Sequence, residues 1–230
     1  MRPRFVERLG LADVVTVTNA GLGFVAVVAA TIDISLAARV ILLGGILDAI
    51  DGIVARRRGG TDVGPHLDSL ADVATFGVAP AFVVYRVGHD AGGPTTLSGT
   101  DLVWIAVPTL FVAMAVTRLG LYTALDVDDA ATEGVQSTLA ATLIATGILA
   151  GLGPTALLAG AAVLSLSMLA PITYPDLWVR DALVMGVVQG LAVLYPTALD
   201  RVFPTVLFAW ALGYLVLSPR FYPRAEGKRS

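Results

Sequence analysis

Cysteine is absent from this chain of 230 residues. That excludes disulfides and thiolate metal sites, so any metal must be held by oxygen or by one of the two histidines, which favours hard cations. Charge is scarce as well. Only 14% of residues are charged and the formal net charge is −3, with no basic stripe interleaved with aromatics, which argues against nucleic acid as a partner. Lysine is nearly missing: Lys228 stands beside fourteen arginines. Together with the acidic loop LDVDDAATEG this bias points to a GC-rich genome and a high-salt cytoplasm, and says nothing about chemistry.

What is present in quantity is apolar sequence, 56% of residues, with a mean hydropathy of +0.80. Apolar runs broken by Pro, Gly and charge mark eight candidate spans, roughly 13–31, 35–57, 66–88, 100–124, 134–152, 155–171, 180–198 and 202–218. Runs of about twenty residues suit helices rather than the tilted strands of a barrel. The expected fold is an all-α polytopic membrane bundle of about eight transmembrane helices, forming a single domain over residues 1–230. The fifth and sixth spans are split only by Gly151 to Thr155 and read as a tight helical hairpin. Arg2, Arg4 and Arg8 beside Phe5, Val6 and Leu9 predict a short amphipathic juxtamembrane helix, read as mature sequence because the following apolar segment is longer than a signal h-region. Twelve of the fifteen basic residues fall on the side of the termini, against Arg39, Arg86 and Arg201 on the other. The positive-inside rule then predicts a multi-pass protein of the cell membrane with both termini and Arg56–Arg58 in the cytoplasm. No repeat of 20–50 residues supports a solenoid or inverted-repeat transporter.

Against that background the stretch LDAIDGIVARRRGGTDVGPHLDSLAD, Leu47 to Asp72, holds five carboxylates and three consecutive arginines. Asp48 and Asp51 are three apart near the end of one span, and Asp68 and Asp72 are four apart near the start of the next. On helices these spacings put each pair on one face. Carboxylates in a membrane cost about 2.5–3.5 kcal/mol each at mid-depth, and two facing pairs repel unless a cation sits between them. Oxygen ligation by Asp alone suits Mg²⁺ or Mn²⁺, which bridge carboxylates to substrate phosphates. Gly52 and Ala55 leave the helix surface without bulk, and Gly64 loosens the connecting loop, so a flat group can approach the backbone. Arg56, four residues after Gly52, places a forked cation over a phosphate. Arg57 and Arg58 read as anchors for lipid headgroups. Asp62 and His66 read as solvated loop residues. Arg118, near the cytoplasmic end of the fourth span, reads as a ligand for an acceptor carboxylate or lipid phosphate.

The positions Asp48, Asp51, Gly52, Ala55, Arg56, Gly64, Asp68 and Asp72 give D-x2-D-G-x2-A-R-x7-G-x3-D-x3-D, which closely resembles the signature of the CDP-alcohol phosphotransferases. The interval between Arg56 and Gly64 is one residue shorter than that family usually shows. The continuation from Leu67 to Pro80, LDSLADVATFGVAP, and the count of eight spans look most like the phosphatidylserine synthase branch.

The resemblance implies an integral membrane enzyme of phospholipid biosynthesis that moves the phosphatidyl-type group of a CDP-activated lipid to an acceptor hydroxyl, releasing CMP. It implies a bimetal Mg²⁺ or Mn²⁺ site on Asp48, Asp51, Asp68 and Asp72, with Asp72 also deprotonating the acceptor. It places the nucleotide on Gly52, Ala55 and Gly64 and the diphosphate on Arg56, and leaves Asn19 either reaching the nucleotide or packing between helices. It also implies membrane lipids as surroundings, a homodimer, and L-serine as the acceptor. Two departures bear on that acceptor. A paired-Arg element of the branch reads RLGLYT here, keeping Arg118 and losing the second Arg at Leu121, and a Pro-containing element reads EGVQSTLAA. An archaetidylserine-forming enzyme acting on CDP-archaeol fits these departures. Three alternatives stand beside this: the same chemistry with inositol phosphate or glycerol phosphate as acceptor, a cation or proton transporter, and a catalytically dead lipid-binding homologue.

Overall fold

The computed structural model describes residues 9–90, 101–125, 131–175 and 178–221. The expected amphipathic helix built on Arg2, Arg4 and Arg8, the loop 91–100, and the acidic cluster Asp126, Asp128 and Asp129 lie outside the described residues. Eight continuous helices fill the rest: α1 (Leu11–Ala30), α2 (Ile34–Arg58), α3 (Gly64–Asp90), α4 (Val103–Leu125), α5 (Ser137–Ala150), α6 (Pro154–Ser167), α7 (Val179–Leu194) and α8 (Val202–Phe221). Between them β1 (Ala131–Glu133) pairs antiparallel with β2 (Thr173–Pro175), Thr132 opposite Tyr174.

Local chemistry sets the helix ends. Asp33 accepts a hydrogen bond from the Ser35 N–H at 2.7 Å and so caps α2 directly after α1 ends. Gly151, at φ 89°, closes α5 in the left-handed conformation and Pro154 opens α6, which makes the GLGPT turn a helical hairpin as the sequence predicts. Pro80 interrupts α3: it has no N–H to donate, and residues 73–78 widen into a π-helical turn in which the Ala79 N–H reaches the Ala74 carbonyl. This wide turn follows Asp72 directly.

The bundle is inverted relative to a water-soluble protein. On α1 the inward face carries Asp13, Thr16, Asn19, Gly23, Ala26 and Ala29, while Val14, Val17, Phe24, Val25 and Val28 are exposed. Large apolar side chains facing outward and small or polar ones facing inward fit a lipid exterior, where close helix packing rather than hydrophobicity holds helices together. Four helices, α1, α3, α4 and α8, are long and apolar enough to cross a membrane. Helix α2, 25 residues long, runs where the span 35–57 is expected but ends in charge, whereas α5 and α6 with 14 residues each and α7 with 16 are shorter than their expected spans. At 1.5 Å per residue a 14-residue helix covers only about 21 Å of a hydrocarbon layer about 30 Å thick. The unbroken apolarity of α5, which suggested a longer span, has a different cause: residues 139–147 are buried all round. It stands between two apolar clusters, one with α1, α2 and α7, the other with α4 and α6.

A close contact joins α1, α2 and α3 at the π-helical turn. A Cβ on Gly23 would lie 2.7 Å from the Ala74 carbonyl carbon, and one on Gly44 would lie 2.5 Å from Thr75 Cγ2. The Thr75 hydroxyl donates to the Asn19 carbonyl at 2.8 Å. Substituting Gly23→Leu should therefore force the helices apart and cost at least about 1–3 kcal/mol. Gly21→Leu, where a Cβ meets nothing within 4 Å, should be tolerated. Thermal melts of the two variants followed by size-exclusion chromatography in detergent would check the difference.

Candidate active site at one end of the bundle

The start of α1, the end of α2, the start of α3, the end of α4 and the start of α5 meet at one end of the bundle. They enclose a cavity of about 620 Å³. Both carboxylate pairs line it, as do Gly52, Ala55, Arg56, Gly64 and Arg118. Helix α2 brings Asp48 and Asp51 in on one face, and α3 brings Asp68 and Asp72 from the other side. One oxygen each from Asp48, Asp68 and Asp72 falls within 4.8 Å of the others. Asp51 is in the cavity but outside that trio. It is buried, and its Oδ2 accepts a hydrogen bond from Thr16 Oγ1 at 2.7 Å.

Whether these groups fit a divalent cation is tested by Asp72. It is 8% exposed, and its Oδ1 is buried without a hydrogen-bond partner among the described residues. A buried carboxylate oxygen left unpaired is costly, and the convergence of Asp48 and Asp68 on it adds repulsion. Hard oxygen donors with unused lone pairs at this separation fit Mg²⁺ or Mn²⁺. The positive charge that reaches Asp72 within the chain is that of Arg118, which is 7% exposed and lies 5.6 Å from the centre of the Tyr122 ring.

The remaining positions named from sequence divide. Arg56 folds back along its helix, its Nη1 3.3 Å from where a Cβ on Gly52 would sit, as the four-residue spacing predicts. Gly64 leaves room for Asp13, whose Oδ1 would be 3.4 Å from a Cβ there. Asn19 takes the packing alternative. It is buried one turn further along α1 than Thr16, against Gly44, and is not part of the cavity wall. Its three-residue spacing from Thr16 keeps it on the inward face but moves it about 4.5 Å along the axis. Asp62 and His66 are exposed and do not line the cavity. Leu121, where the second arginine of the likeness is lost, is 49% exposed and points away from it as well.

Several wall residues escaped the sequence reading. Asp13 and Thr16 sit on α1, Ser69 on α3 touches Thr123 on α4 hydroxyl to hydroxyl, and Thr132, Gln136, Ser137 and Thr138 complete the wall. For Asp13 and Thr16 a signal existed: with Asn19 they recur every three residues in an otherwise apolar helix. Thr132 is held in place by long-range pairing, which no local pattern announces. Gly134, at φ 73°, has its Cα so close to the Met168 carbonyl that a Cβ would lie 2.0 Å from it. The Tyr214 hydroxyl on α8 donates to the Pro175 carbonyl on β2 at 2.5 Å.

Replacing Asp48, Asp68 or Asp72 singly by Asn should weaken Mn²⁺ binding about tenfold or more, by the loss of one charged ligand. Asp62→Asn should leave it unchanged. Titration of Mn²⁺ by electron paramagnetic resonance on the purified protein separates the two classes.

Comparison with known proteins places this arrangement. Residues 9–175 match the family model described as CDP-alcohol phosphatidyltransferase. The archaetidylserine synthase of Methanothermobacter thermautotrophicus is 40% identical over 87 residues, 36% of this chain and 37% of that protein. The CDP-diacylglycerol–serine O-phosphatidyltransferases of Mycobacterium leprae and Saccharomyces cerevisiae are 43% and 38% identical over 86 and 92 residues. Those stretches cover 37% and 36% of this chain and 26% and 33% of theirs. The chain thus aligns with only about a quarter to somewhat over a third of the length of these relatives. The matched span, by contrast, runs from the head of α1 to the end of β2 and takes in both carboxylate pairs, so the chain belongs to the CDP-alcohol phosphatidyltransferase family.

Proposed function

We propose that the protein transfers the phosphatidyl-type group of a CDP-activated lipid, CDP-diacylglycerol or CDP-archaeol, to the hydroxyl of L-serine and releases CMP. The observation that carries this is the convergence of Asp48, Asp68 and Asp72 on one cavity with a buried Asp72 oxygen that no donor satisfies. In this reading Asp48, Asp51, Asp68 and Asp72 hold two divalent cations, Mg²⁺ or Mn²⁺. When bound, these would supply charge neutralisation for the diphosphate during phosphoryl transfer. Asp51 is held in register by Thr16, and Arg56 grips a diphosphate oxygen through its fork. Gly52, Ala55 and Gly64 leave room for the nucleotide. Asp72 accepts the proton of the acceptor hydroxyl. The acceptor oxygen then bonds to the lipid-linked phosphorus as the bond from that phosphorus to the bridging oxygen breaks, and this oxygen leaves with CMP. Arg118 faces the same cavity from α4 and binds the acceptor carboxylate. The names of the relatives support serine as acceptor and leave both ester and ether lipids in range.

The same proposal has all eight helices embedded in the cell membrane, the cavity and both termini on the cytoplasmic side, and a homodimer as the assembly. The crowding of Arg56, Arg57 and Arg58 at the cavity end of α2 supports that orientation. It also disfavours transport, since the carboxylates cluster at one end of the bundle.

Incubating the purified protein in detergent with CDP-diacylglycerol or CDP-archaeol, Mn²⁺ and each of L-serine, inositol phosphate and glycerol phosphate tests the reading by mass spectrometry of the lipid product. Serine-linked lipid and CMP are expected, with chelation abolishing both and Asp72→Asn lowering kcat by about a hundredfold or more. Failure to release CMP with any acceptor would overturn the enzyme class, and a product with another acceptor would overturn serine.

A further inference from the structure

The carboxylate of Asp13 is not used by the chemistry above. It is 2% exposed, in the first turn of α1, and lies on the cavity wall. Its two oxygens are in different situations. Oδ2 accepts from the Gly10 N–H at 2.7 Å and from Thr61 Oγ1 at 2.8 Å, while Oδ1 lies against Gly64, 3.4 Å from where a Cβ would be. Asp13 is also apart from the carboxylates grouped for a cation, which among the described residues are Asp48, Asp68 and Asp72.

We propose that Asp13 reads the nucleobase: its Oδ1 accepts a hydrogen bond from the 4-amino group of a cytosine ring lying over Gly60 and Gly64, and thereby selects cytidine over uridine nucleotides. The inference rests on the reading that the cavity takes a CDP-activated substrate.

Three arguments support it. The wall around Asp13 is made of Gly60, Thr61 and Gly64, and a Cβ on Gly60 would meet nothing within 4 Å, so a flat ring has room beside the carboxylate. A carboxylate only accepts, and cytosine offers a donor at position 4 where uracil offers a carbonyl, so the two bases are told apart by this one group. The nucleoside also has a direction to run in. Ala12, Asp13 and Thr16 of α1 line the same cavity as the Asp trio and Arg56, so a base can reach Asp13 from a diphosphate held there.

The hydrogen bonds on Oδ2 make the consequence sharp. In Asp13→Asn the side-chain oxygen stays where Oδ2 was, because the Gly10 N–H can only donate. The amide NH₂ is therefore forced into the place of Oδ1. A donor there repels the cytosine amino group and matches the uracil carbonyl.

The test is CMP and UMP binding to the full-length protein in detergent with Mn²⁺, by isothermal titration, alongside CMP release from CDP-lipid. The parent should bind CMP more tightly than UMP by about tenfold to a hundredfold, the range for one hydrogen bond to a charged group. Asp13→Asn should bring the ratio to unity or reverse it. A variant that keeps the parent's ratio overturns the proposal, as does a parent that prefers neither base while 2′-deoxy-CMP binds weakly, which would assign Oδ1 to the ribose. Should the variant fail to fold, the parent decides with the CMP analogue carrying hydrogen in place of the 4-amino group: a loss of about tenfold supports the contact and unchanged affinity overturns it. A parent that binds neither nucleotide and releases no CMP brings down the proposed function as well. One that releases CMP without discriminating bases brings down only the role of Asp13.

Discussion

Everything at the cavity end of this bundle follows from one constraint: carboxylates on two neighbouring helices are held face to face, and two of them, Asp51 and Asp72, are buried there. An apolar chain that places Asp48, Asp68 and Asp72 with oxygens within 4.8 Å of one another must hold the helices rigidly, or they would swing apart. The contact that resists this lies beyond the charges, where Gly23 meets the Ala74 backbone and Gly44 meets Thr75. Glycine is needed at both places because α1 and α2 come against the wide turn of α3 more closely than any Cβ allows. Small residues supply the tight packing that a lipid exterior does not provide through hydrophobicity.

The wide turn also accounts for where the carboxylates point. A helix that loses a donor at Pro80 shifts to the longer repeat over residues 73–78, which rotates everything before it relative to everything after. Asp68 and Asp72 precede the shift, Phe76 lies within it and Ala79 and Val83 follow it, these three in the apolar cluster that α1, α2 and α5 share. One helix can therefore turn its acidic pair toward the cavity and still bury its apolar face. The Thr75 hydroxyl, bonded to the Asn19 carbonyl, ties the junction to α1.

How much of this was legible in the sequence depends on the distance over which each feature is specified. The carboxylate pairs were readable because spacings of three and four on a helix fix a shared face locally, and Arg56 over Gly52 followed from the same periodicity. The hairpin at Gly151 and Pro154 was readable from the preferences of its own residues. The length of the fifth span was not: α5 is as apolar as a membrane helix, yet it owes that composition to burial among other helices, and hydropathy has no term for which neighbour covers a side chain. For Asn19 the sequence left packing and nucleotide contact both open for a related reason, since periodicity gives the face of a helix but not the depth at which a cavity stops. The ribbon of β1 and β2 pairs residues some forty positions apart, with Gly134 folded against the Met168 carbonyl, and short polar segments carry no mark of such pairing.

The inward stripe of α1 shows how the bundle grades from chemistry to structure. Near the cavity Asp13 grips Thr61 of the α2–α3 connector and Thr16 grips Asp51 of α2, so one helix end fixes both sides of the loop that separates the two acidic pairs. Deeper, Asn19 serves α3 through its backbone, and beyond Gly23 the stripe is alanine alone. Hydrogen-bonding side chains thus occur where the wall must be held against a polar ligand and give way to close-packed small residues where only helices meet. The connector between Arg56 and Gly64 is held in the same way. The loop is held by α1 from outside itself, so its own length can change while Gly64, Asp68 and Asp72 keep their places.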